Sequence, residues 1–481
     1  MKKSIAKNYI YNLTYQILIV ILPLITTPYI SRVLGAENIG IYSYTISITT
    51  YFILLGSLGI AMYGQREIAY LQENKEQYTK TFWEIVIVRF ITMAISMITF
   101  YFTFVQGNQY QVYYAILLLE LFSNCIDISW FFQGLEDFKK TVIRNIVVKL
   151  ISIICIFVFV KSGNDLAKYI WIYVLSILVG NASLWAYLPK FLKKVKIKEL
   201  NIVRHIKPTI GLFIPQIATK IYTVLDKVMI GSIITNKAEV GYYEQSQNIV
   251  KMLLTIVTSL GTVMVSRMAN TFINGEKEKL LEYMKRSFNF VYLLAFPIMF
   301  GVIAVSKYFV PIFFGDGYEK VSVLMNIISP ILLAIGLSNV IGTQYLLQTK
   351  RQKEFTASVV AGAIINFTIN MLLIKKYASI GASIGTVIAE TFVTIIQFIF
   401  VRKEIDTVDI IKLSIKYLIS SLIMFAVCVF IGIVMGKGML CVALQIVIGV
   451  LVYGVCLLVL KDEFVYSIIY KMKEKLKKNG V

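Results

Sequence analysis

Apolar residues occupy the chain in runs of about 20 residues, separated by short polar and basic segments. A helix of that length crosses a hydrocarbon core roughly 30 Å thick, and the runs lack the apolar–polar alternation of barrel strands. The pattern therefore predicts an all-α polytopic membrane protein. It predicts about fourteen transmembrane helices, with the approximate limits 9–30, 41–62, 82–105, 111–132, 145–161, 168–188, 209–234, 245–266, 287–310, 321–347, 355–374, 380–401, 414–435 and 439–460.

Basic residues concentrate in every second connection between the predicted spans. If the N-terminus is cytoplasmic, the cytoplasmic segments hold 34 Lys and Arg, and the opposite connections hold 6. This asymmetry follows the positive-inside rule and predicts that both termini are cytoplasmic. The net charge of +21 therefore belongs mainly to the cytoplasmic membrane face, where it meets anionic lipids. It does not indicate a nucleic-acid partner.

The composition agrees with this class, because 58% of the residues are hydrophobic and only 16% are charged. The five cysteines lie inside apolar runs, and His205 is the single histidine. The sequence contains no metal-site, nucleotide-loop or hydrolase motif. We therefore expect no enzyme activity, no cofactor, no metal and no cleavable signal peptide. Any energy would come from an ion gradient, with H+ or Na+ as the coupling ion, or from the substrate gradient itself.

Two short patterns recur about 200 residues apart, as internal repeats do. Aligning "LGAENIGIYSYT" with "ITNKAEVGYYEQS" places Gly40 over Gly241, and aligning "WFFQGLEDF" with "YLLQTKRQK" places Gln133 over Gln348. The recurrence predicts two pseudo-symmetric six-helix bundles of the same orientation. The predicted domains are a first bundle at 1–188, a basic cytoplasmic linker at 189–208, a second bundle at 209–401, and two additional helices with a basic tail at 402–481.

Charged residues inside the predicted spans are the main functional signal. Placing one charged side chain at mid-membrane costs roughly 2.5–3.5 kcal/mol, so such residues indicate a polar or functional interior. Span seven places Lys220 and Lys227 on one helical face and also contains Gln216 and Asp226. Bases at this density predict a path for an anionic substrate. Alternatively, each base pairs with an acid on a neighbouring helix. The interior bases are Arg89, Lys149, Lys220, Lys227 and Lys251, and the interior acids are Glu84, Glu120, Asp127, Asp226 and Glu390.

The first span has a polar face but no charge in its interior. Asn12 and Gln16 lie one turn apart, and Pro23 and Pro28 follow them. This pattern suits a bent helix that lines a cavity, and it equally suits ordinary interhelical hydrogen bonding. Arg32 is the sole basic residue of the predicted first external loop. It either marks the outer mouth of a cavity or anchors lipid headgroups.

The stretch "LPLITTPYISRVLGAENIGIYSYT" with "YGQREIA", "FFQGLEDF" and "LDKVMIG" resembles the bacterial polysaccharide-unit flippases. These O-antigen and capsule-repeat flippases belong to the multidrug/oligosaccharidyl-lipid/polysaccharide exporter superfamily. The resemblance covers essentially the whole chain. It implies two six-helix bundles plus two helices, located in the bacterial cytoplasmic membrane. It also implies alternating access for an undecaprenyl-diphosphate-linked oligosaccharide, which is moved from the inner to the outer leaflet.

The resemblance further implies a cationic lumen for the diphosphate and sugar acids, with a polymerase and glycosyltransferases as pathway partners. Asn12, Gln16 and Gln216 are expected to line the cavity. Asp226, Glu84, Asp127 and Glu390 are expected to be charge partners or ion-coupling residues. The lumen is expected to contain Arg32, Arg66, Arg89, Lys220, Lys227 and Lys251.

Three alternatives remain open at the level of the sequence. A peptidoglycan-precursor flippase has a similar fold and mechanism. A cation-coupled multidrug antiporter of the same superfamily is expected to have a lumenal acid, commonly in span one, and span one has none. A membrane glycan polymerase or ligase is expected to have a large external loop, whereas the longest predicted external connection has about ten residues.

Overall fold

The structure is a computed structural model that describes the backbone of residues 5–467, 470 and 474. Side chains are described from residue 21 onwards, except those at 138, 197 and 214–223. Throughout these described residues the regular secondary structure is helical, which confirms the all-α class.

Twelve helical segments within the described residues are long and apolar enough to cross a membrane. The protein is therefore a multi-pass membrane protein, and the predicted count of fourteen spans is approximate. One of the twelve segments, Ile21–Tyr70, includes the end of the first predicted span and the whole of the second. The predicted span 209–234 contains residues 214–223, whose side chains lie outside the described set.

The first unit of the chain is Met1–Gly241. It ends within the first turn of α10 (Ala238–Ile273). The predicted linker 189–208 is not one continuous helix, since only short helical turns interrupt its extended and looped backbone. The other helices of this unit are α1 (Ile5–Ser57), α2 (Ile60–Tyr70), α3 (Lys75–Phe100), α4 (Gln111–Cys125), α5 (Ser129–Gly134), α6 (Phe138–Phe159), α7 (Leu166–Trp185), α8 (Leu188–Phe191) and α9 (Ile206–Ile233).

The second unit is Tyr242–Val481 and begins inside α10. The boundary at 241 differs from the predicted start of the second half at 209, so α9 groups with the first unit. The division into six-helix halves stays a prediction. The remaining helices are α11 (Lys277–Phe314), α12 (Glu319–Ile328), α13 (Ile331–Ser338) with the π-helix Asn339–Leu346, α14 (Gln352–Tyr377), α15 (Ser379–Val401), α16 (Thr407–Met435) and α17 (Met439–Val459).

The connection predicted at 31–40 is helical, so α1 joins two predicted spans. Only Gly35 departs from helical backbone, with φ 76° and ψ 167°, a conformation that strains a residue carrying a Cβ. Beyond this kink, the Asn38 side chain donates hydrogen bonds to the carbonyl oxygens of Leu34 (2.9 Å) and Gly163 (3.0 Å). The second bond ties the bend to the connection between α6 and α7.

Glycines allow α1 to approach the start of α10 at backbone distance. A Cβ at Gly40 would lie 1.7 Å from the carbonyl oxygen of Lys237, and a Cβ at Gly241 would lie 2.1 Å from that of Ala36. These are the two glycines that the repeat alignment superimposes. Lys237 itself is buried, and its ammonium donates to the carbonyl oxygens of Gly231 and Ile234 at the end of α9. A cation at this position offsets the negative end of the helix dipole.

An aromatic cluster forms the core at one end of the first unit. The rings of Phe82 and Trp130 stack with centroids 5.6 Å apart, next to the fully buried Phe131 and Phe132. The Lys140 ammonium lies 3.9 Å from the Phe191 ring centroid and also faces the rings of Phe132 and Tyr187. These cation–π contacts fix the start of α6 against α5, α8 and the turn that precedes α8.

Candidate functional site

A cavity of about 440 Å³ lies inside the first unit, between α1, α6 and α7. All three helices belong to segments that are long and apolar enough to cross a membrane. The cavity lining is nevertheless markedly polar. Hydroxyls come from Thr26, Thr27, Ser152 and Ser176, amides come from Asn145 and Asn181, and cationic groups come from Arg144 and Lys149. No acidic residue is among the described residues that line it.

Arg144 is anchored in the wall of the cavity by neutral polar groups. Its Nη1 donates to Asn181 Oδ1 (2.7 Å), its Nη2 donates to Asn145 Oδ1 (2.5 Å), and its Nε donates to the same oxygen (2.9 Å). Asn181 in turn donates to the backbone oxygen of Ser123 on α4 (2.9 Å). These bonds fix the guanidinium in position.

Lys149 occupies the middle of α6 and is exposed to the cavity. Among the described residues it has neither an ion-pair partner nor a hydrogen-bond acceptor. An ammonium group inside a membrane protein is unfavourable unless water, an acid or a bound anion compensates it. Lys149 is therefore the group in this cavity best placed to contact an anionic ligand.

Three tyrosines form one wall of the cavity. Tyr42 of α1 packs edge-on against Tyr169 and Tyr173 of α7, at centroid distances of 5.0 and 5.8 Å. The Tyr173 hydroxyl donates to Glu120 Oε1 (3.1 Å), which lies behind the wall. Glu120 is 5% exposed, and its second oxygen has no hydrogen-bond partner among the described residues. The wall thus separates the cavity from a buried carboxyl group.

Two of the predicted site residues connect to this cavity through Ser129. The Nη2 atom of Arg89 lies 4.0 Å from Asp127 Oδ2, and its Nε donates to the Asn124 carbonyl oxygen (2.8 Å). Asp127 Oδ1 accepts the Ser129 hydroxyl (2.5 Å), and Ser129 Oγ accepts a hydrogen bond from Arg144 (3.3 Å). Arg89 and Asp127 therefore support the wall, and they do not line the cavity.

Glu84, another predicted charge partner, holds the linker. Its carboxylate accepts hydrogen bonds from the Asn201 backbone N–H (2.7 Å), Arg204 Nε (3.0 Å) and His205 Nε2 (2.7 Å). On the other side of the ring, His205 Nδ1 lies 2.7 Å from the Tyr63 hydroxyl. The single histidine is therefore a buried structural residue that joins α2, α3 and the linker. A role for Glu84 in ion coupling stays a prediction.

The remaining predicted residues whose side chains are described lie on α1, α2, α9, α10 and α15. Arg32 is exposed near the kink of α1, and Arg66 pairs with the adjacent Glu67 (3.2 Å). Asp226 is buried and Lys227 is half-buried on α9, whereas in the second unit Lys251 is exposed and Glu390 is half-buried. The side chains of Asn12, Gln16, Gln216 and Lys220 lie outside the described residues.

The second unit has a smaller cavity of about 340 Å³ beside Arg351. The Arg351 guanidinium pairs with Glu404 (2.7 Å) and with Glu354 (2.5 Å). Its charge is therefore compensated by the protein. Lys149 of the first cavity has no ion-pair partner among the described residues, and this makes that cavity the stronger candidate for a substrate site.

The sequence contains a signal for this cavity. Asn145, Lys149 and Ser152 are spaced i, i+4 and i+7 and so share one face of a helix. The predicted span 145–161 begins one residue after Arg144, so the hydropathy pattern leaves Arg144 in a connection. In the structure α6 begins at Phe138, so Arg144 is helical.

A multi-pass helical protein with a polar, cationic cavity among its transmembrane helices has the architecture of a membrane transporter. The family model described as polysaccharide biosynthesis protein matches residues 5–272, which is more than half of the chain. The chain therefore belongs to that family. A second family model, MatE, matches residues 212–372.

Curated relatives carry related descriptions. The putative O-antigen transporter of Escherichia coli (strain K12) is 26% identical over 409 residues, which are 84% of this chain and 98% of the relative. The capsular polysaccharide biosynthesis protein CapF of Staphylococcus aureus is 22% identical, covering 83% and 99%. The probable low-salt glycan biosynthesis flippase Agl15 of Haloferax volcanii is 19% identical, covering 77% of each.

Solved structures share the fold. The lipid II flippase MurJ in its inward closed conformation has a TM-score of 0.73 and 16% identity, covering 95% of this chain and all of that structure. An inward-facing multidrug resistance MATE family transporter has a TM-score of 0.63 and 13% identity, covering 81% and 95%. Together these findings identify a polysaccharide-precursor flippase of the multidrug/oligosaccharidyl-lipid/polysaccharide exporter superfamily, and not an enzyme.

Proposed function

We propose that the protein moves an undecaprenyl-diphosphate-linked oligosaccharide from the inner to the outer leaflet of the bacterial cytoplasmic membrane by alternating access. The proposal rests on the cavity among α1, α6 and α7, which has two cationic residues and no acid on its described lining. Charge interactions are stronger in such a low-dielectric interior than in water. An anionic head group is therefore the kind of cargo that this cavity would stabilise.

The chemistry of the lining also suits a glycan. Sugar hydroxyls lose their hydrogen bonds to water when they enter a membrane, and an unsatisfied polar group there costs several kcal/mol. The hydroxyl and amide groups of the cavity can replace those hydrogen bonds. The polyprenyl tail can meanwhile stay in the hydrocarbon region, so that only the head group needs a polar path.

The competing functions fit the chain less well. A cationic drug would be repelled by Arg144 and Lys149 in a cavity with no described acid on its lining. The likeness to the lipid II flippase concerns the fold only, since identity is 16%. A polymerase and glycosyltransferases of the same pathway are the proposed partners. An H+ or Na+ gradient is the proposed energy source, with Glu84, Asp127, Asp226 and Glu390 as candidate coupling residues.

Deletion of the gene in the organism that carries it tests the proposed function. The deletion should abolish one surface polysaccharide, and lipid-linked repeat units should accumulate inside the cell because synthesis continues while translocation stops. Glycan immunoblotting and mass spectrometry of extracted lipids measure both effects. A plasmid copy should reverse them. Normal surface polysaccharide and no accumulated intermediate in the deletion strain would contradict the proposal.

A further inference from the structure

The linker runs along the first three turns of α3 and is held there by hydrogen bonds. The Tyr78 hydroxyl donates to the carbonyl oxygen of Phe191 (2.9 Å). The backbone N–H of Lys193 donates to Thr79 Oγ1 (3.3 Å). Further along α3, the carboxylate of Glu84 holds the second half of the linker. The backbone of the linker is therefore fixed against α3.

The linker presents its apolar and basic side chains to different surroundings. Leu192 and Ile202 pack against the aromatic cluster of the first unit. Four lysines, called the lysine strip here, are instead exposed: Lys193, Lys194, Lys196 and Lys198. Among the described residues, no hydrogen bond or ion pair engages a side chain of the lysine strip. Glu199, the only acid of the linker, pairs with Lys80 of α3 (2.9 Å).

The first turns of α3 place the lysine strip at the level of the lipid head groups. The segment Lys75–Val105 has 31 residues and is long and apolar enough to cross a membrane. A helix of that length spans about 46 Å, whereas the hydrocarbon core is roughly 30 Å thick. The apolar run begins only at Ile85, after ten mostly polar residues. Trp83, Trp130 and Trp185 gather at this end, as tryptophans do at membrane–water interfaces.

We propose that the lysine strip binds the phosphate groups of anionic phospholipids and fastens the linker to the membrane surface. A basic residue near an anionic membrane surface contributes about a fivefold gain in affinity. Because the backbone is already fixed, little conformational freedom is lost on binding. Such binding is independent of the proposed function, since it concerns the lipids around the protein and not its cargo.

The connection between α10 and α11 is also basic, but acids engage its charges. Lys279 pairs with Glu276 (2.7 Å), and Arg286 pairs with Glu282 (2.5 Å). The lysine strip therefore differs from a general excess of positive charge, because its ammonium groups have no acid to pair with among the described residues.

Native mass spectrometry of the purified full chain in detergent tests the proposal. Phosphatidylglycerol and phosphatidylcholine with the same acyl chains differ in net charge. The wild-type protein should bind phosphatidylglycerol at least tenfold more tightly. Glutamine at all four positions of the lysine strip should remove most of this preference, and arginine at all four should retain it because the charge is kept. Equal binding of the two lipids by the wild type would overturn the proposal.

The control variant removes the same number of charges from the connection between α10 and α11. It carries Lys277→Gln, Lys279→Gln, Lys285→Gln and Arg286→Gln, and it should keep the wild-type preference. Equal losses in the control and in the strip variant would show that the preference follows total charge, which would contradict a site at the strip.

The milder variant Lys194→Gln with Lys196→Gln covers the case in which the fourfold strip variant does not fold. It should lower the preference for phosphatidylglycerol at least fivefold. An unchanged preference in this folded variant would equally reject the lysine strip as the lipid site.

Inorganic pyrophosphate and a short polyglutamate peptide test other anionic occupants in the same assay. Both should bind more weakly than phosphatidylglycerol, because neither is held at the membrane surface. Tighter binding of pyrophosphate through the lysine strip would assign it to soluble phosphates, and tighter binding of polyglutamate would assign it to an acidic protein. Either result would overturn the lipid assignment.

Discussion

Lys149 and Arg144 lie five residues apart on α6, and packing gives them different surroundings. Asn145 and Asn181 fix Arg144, whereas Lys149 lacks a partner among the described residues. The sequence predicted that cations lie inside the spans, because a charged residue within an apolar run can be recognised from the sequence alone. It could not predict which cation lacks an acid, since that depends on the neighbouring helices in space.

The environment of His205 is another feature that the sequence could not predict. A lone histidine in a basic linker is expected to be a loop residue, yet His205 is 3% exposed between Glu84 and Tyr63. Burial lowers the pKa of His205 below its ordinary value of about 6.5, against the opposing effect of Glu84. The neutral ring therefore donates to Glu84 through Nε2 and accepts the Tyr63 hydroxyl at Nδ1.

This arrangement predicts how stability depends on pH at a single residue. Because the folded state binds the His205 proton less readily than the unfolded state, its contribution is complete above pH of about 6.5. The contribution decreases as the pH falls from there towards the lowered pKa. His205→Gln should lower the stability at pH 7.5 by about 1–3 kcal/mol through lost hydrogen bonds to a buried carboxylate. Thermal unfolding in detergent from pH 5.5 to 8 measures both effects.

The matched variant is Tyr63→Phe, which removes only the hydroxyl at Nδ1. It should cost less than His205→Gln at pH 7.5 and should retain the pH-dependent loss, since the imidazole is still present. A His205→Gln melting temperature that falls with pH as steeply as the wild type's would show that His205 is not the titrating group.

At the scale of elements, glycine positions decide what α1 can contact. Gly35 bends the helix through a positive φ, and Gly40 admits the backbone of residue 237. The hydropathy pattern predicted two spans with a loop between them. It shows how long the apolar runs are, but it does not show that the helix continues on both sides of a single kinked residue. The repeat alignment did single out Gly40 and Gly241 as equivalent, although it did not predict their mutual contact.

Gly40→Ala tests this close approach. The added methyl would lie 1.7 Å from the Lys237 carbonyl oxygen, so the backbones must separate. Overpacking of this kind typically costs about 1–3 kcal/mol. We expect a lower melting temperature in detergent and reduced surface-polysaccharide export at equal expression.

Gly301→Ala is the control for this substitution. Gly301 lies inside α11, and a Cβ there meets nothing within 4 Å. Alanine should raise the stability slightly, because glycine is the poorer helix former by about 1 kcal/mol. Equal behaviour of the two variants would indicate that the approach of α1 to Lys237 and Gly241 is not tight.

At the scale of the whole molecule, the sequence predicted the class because a membrane imposes simple rules. Runs of apolar residues predicted the helices, and the motifs of the first two spans indicated the family to which the chain belongs. The candidate cavity was harder to predict from the sequence. It requires that α1, α6 and α7 converge, and Tyr42 of α1 and Arg144 of α6, which both line it, are 102 residues apart in the chain.

Transbilayer movement of a lipid-linked glycan in proteoliposomes is the most direct measurement of the central claim. The substrate is a polyprenyl-diphosphate oligosaccharide with an acidic sugar, and a membrane-impermeant glycosidase reports the externally accessible fraction. Vesicles with the wild-type protein should expose glycan initially confined to the inner leaflet, and Lys149→Gln vesicles should do so at least tenfold more slowly. Movement in wild-type vesicles no faster than in protein-free vesicles would contradict the account.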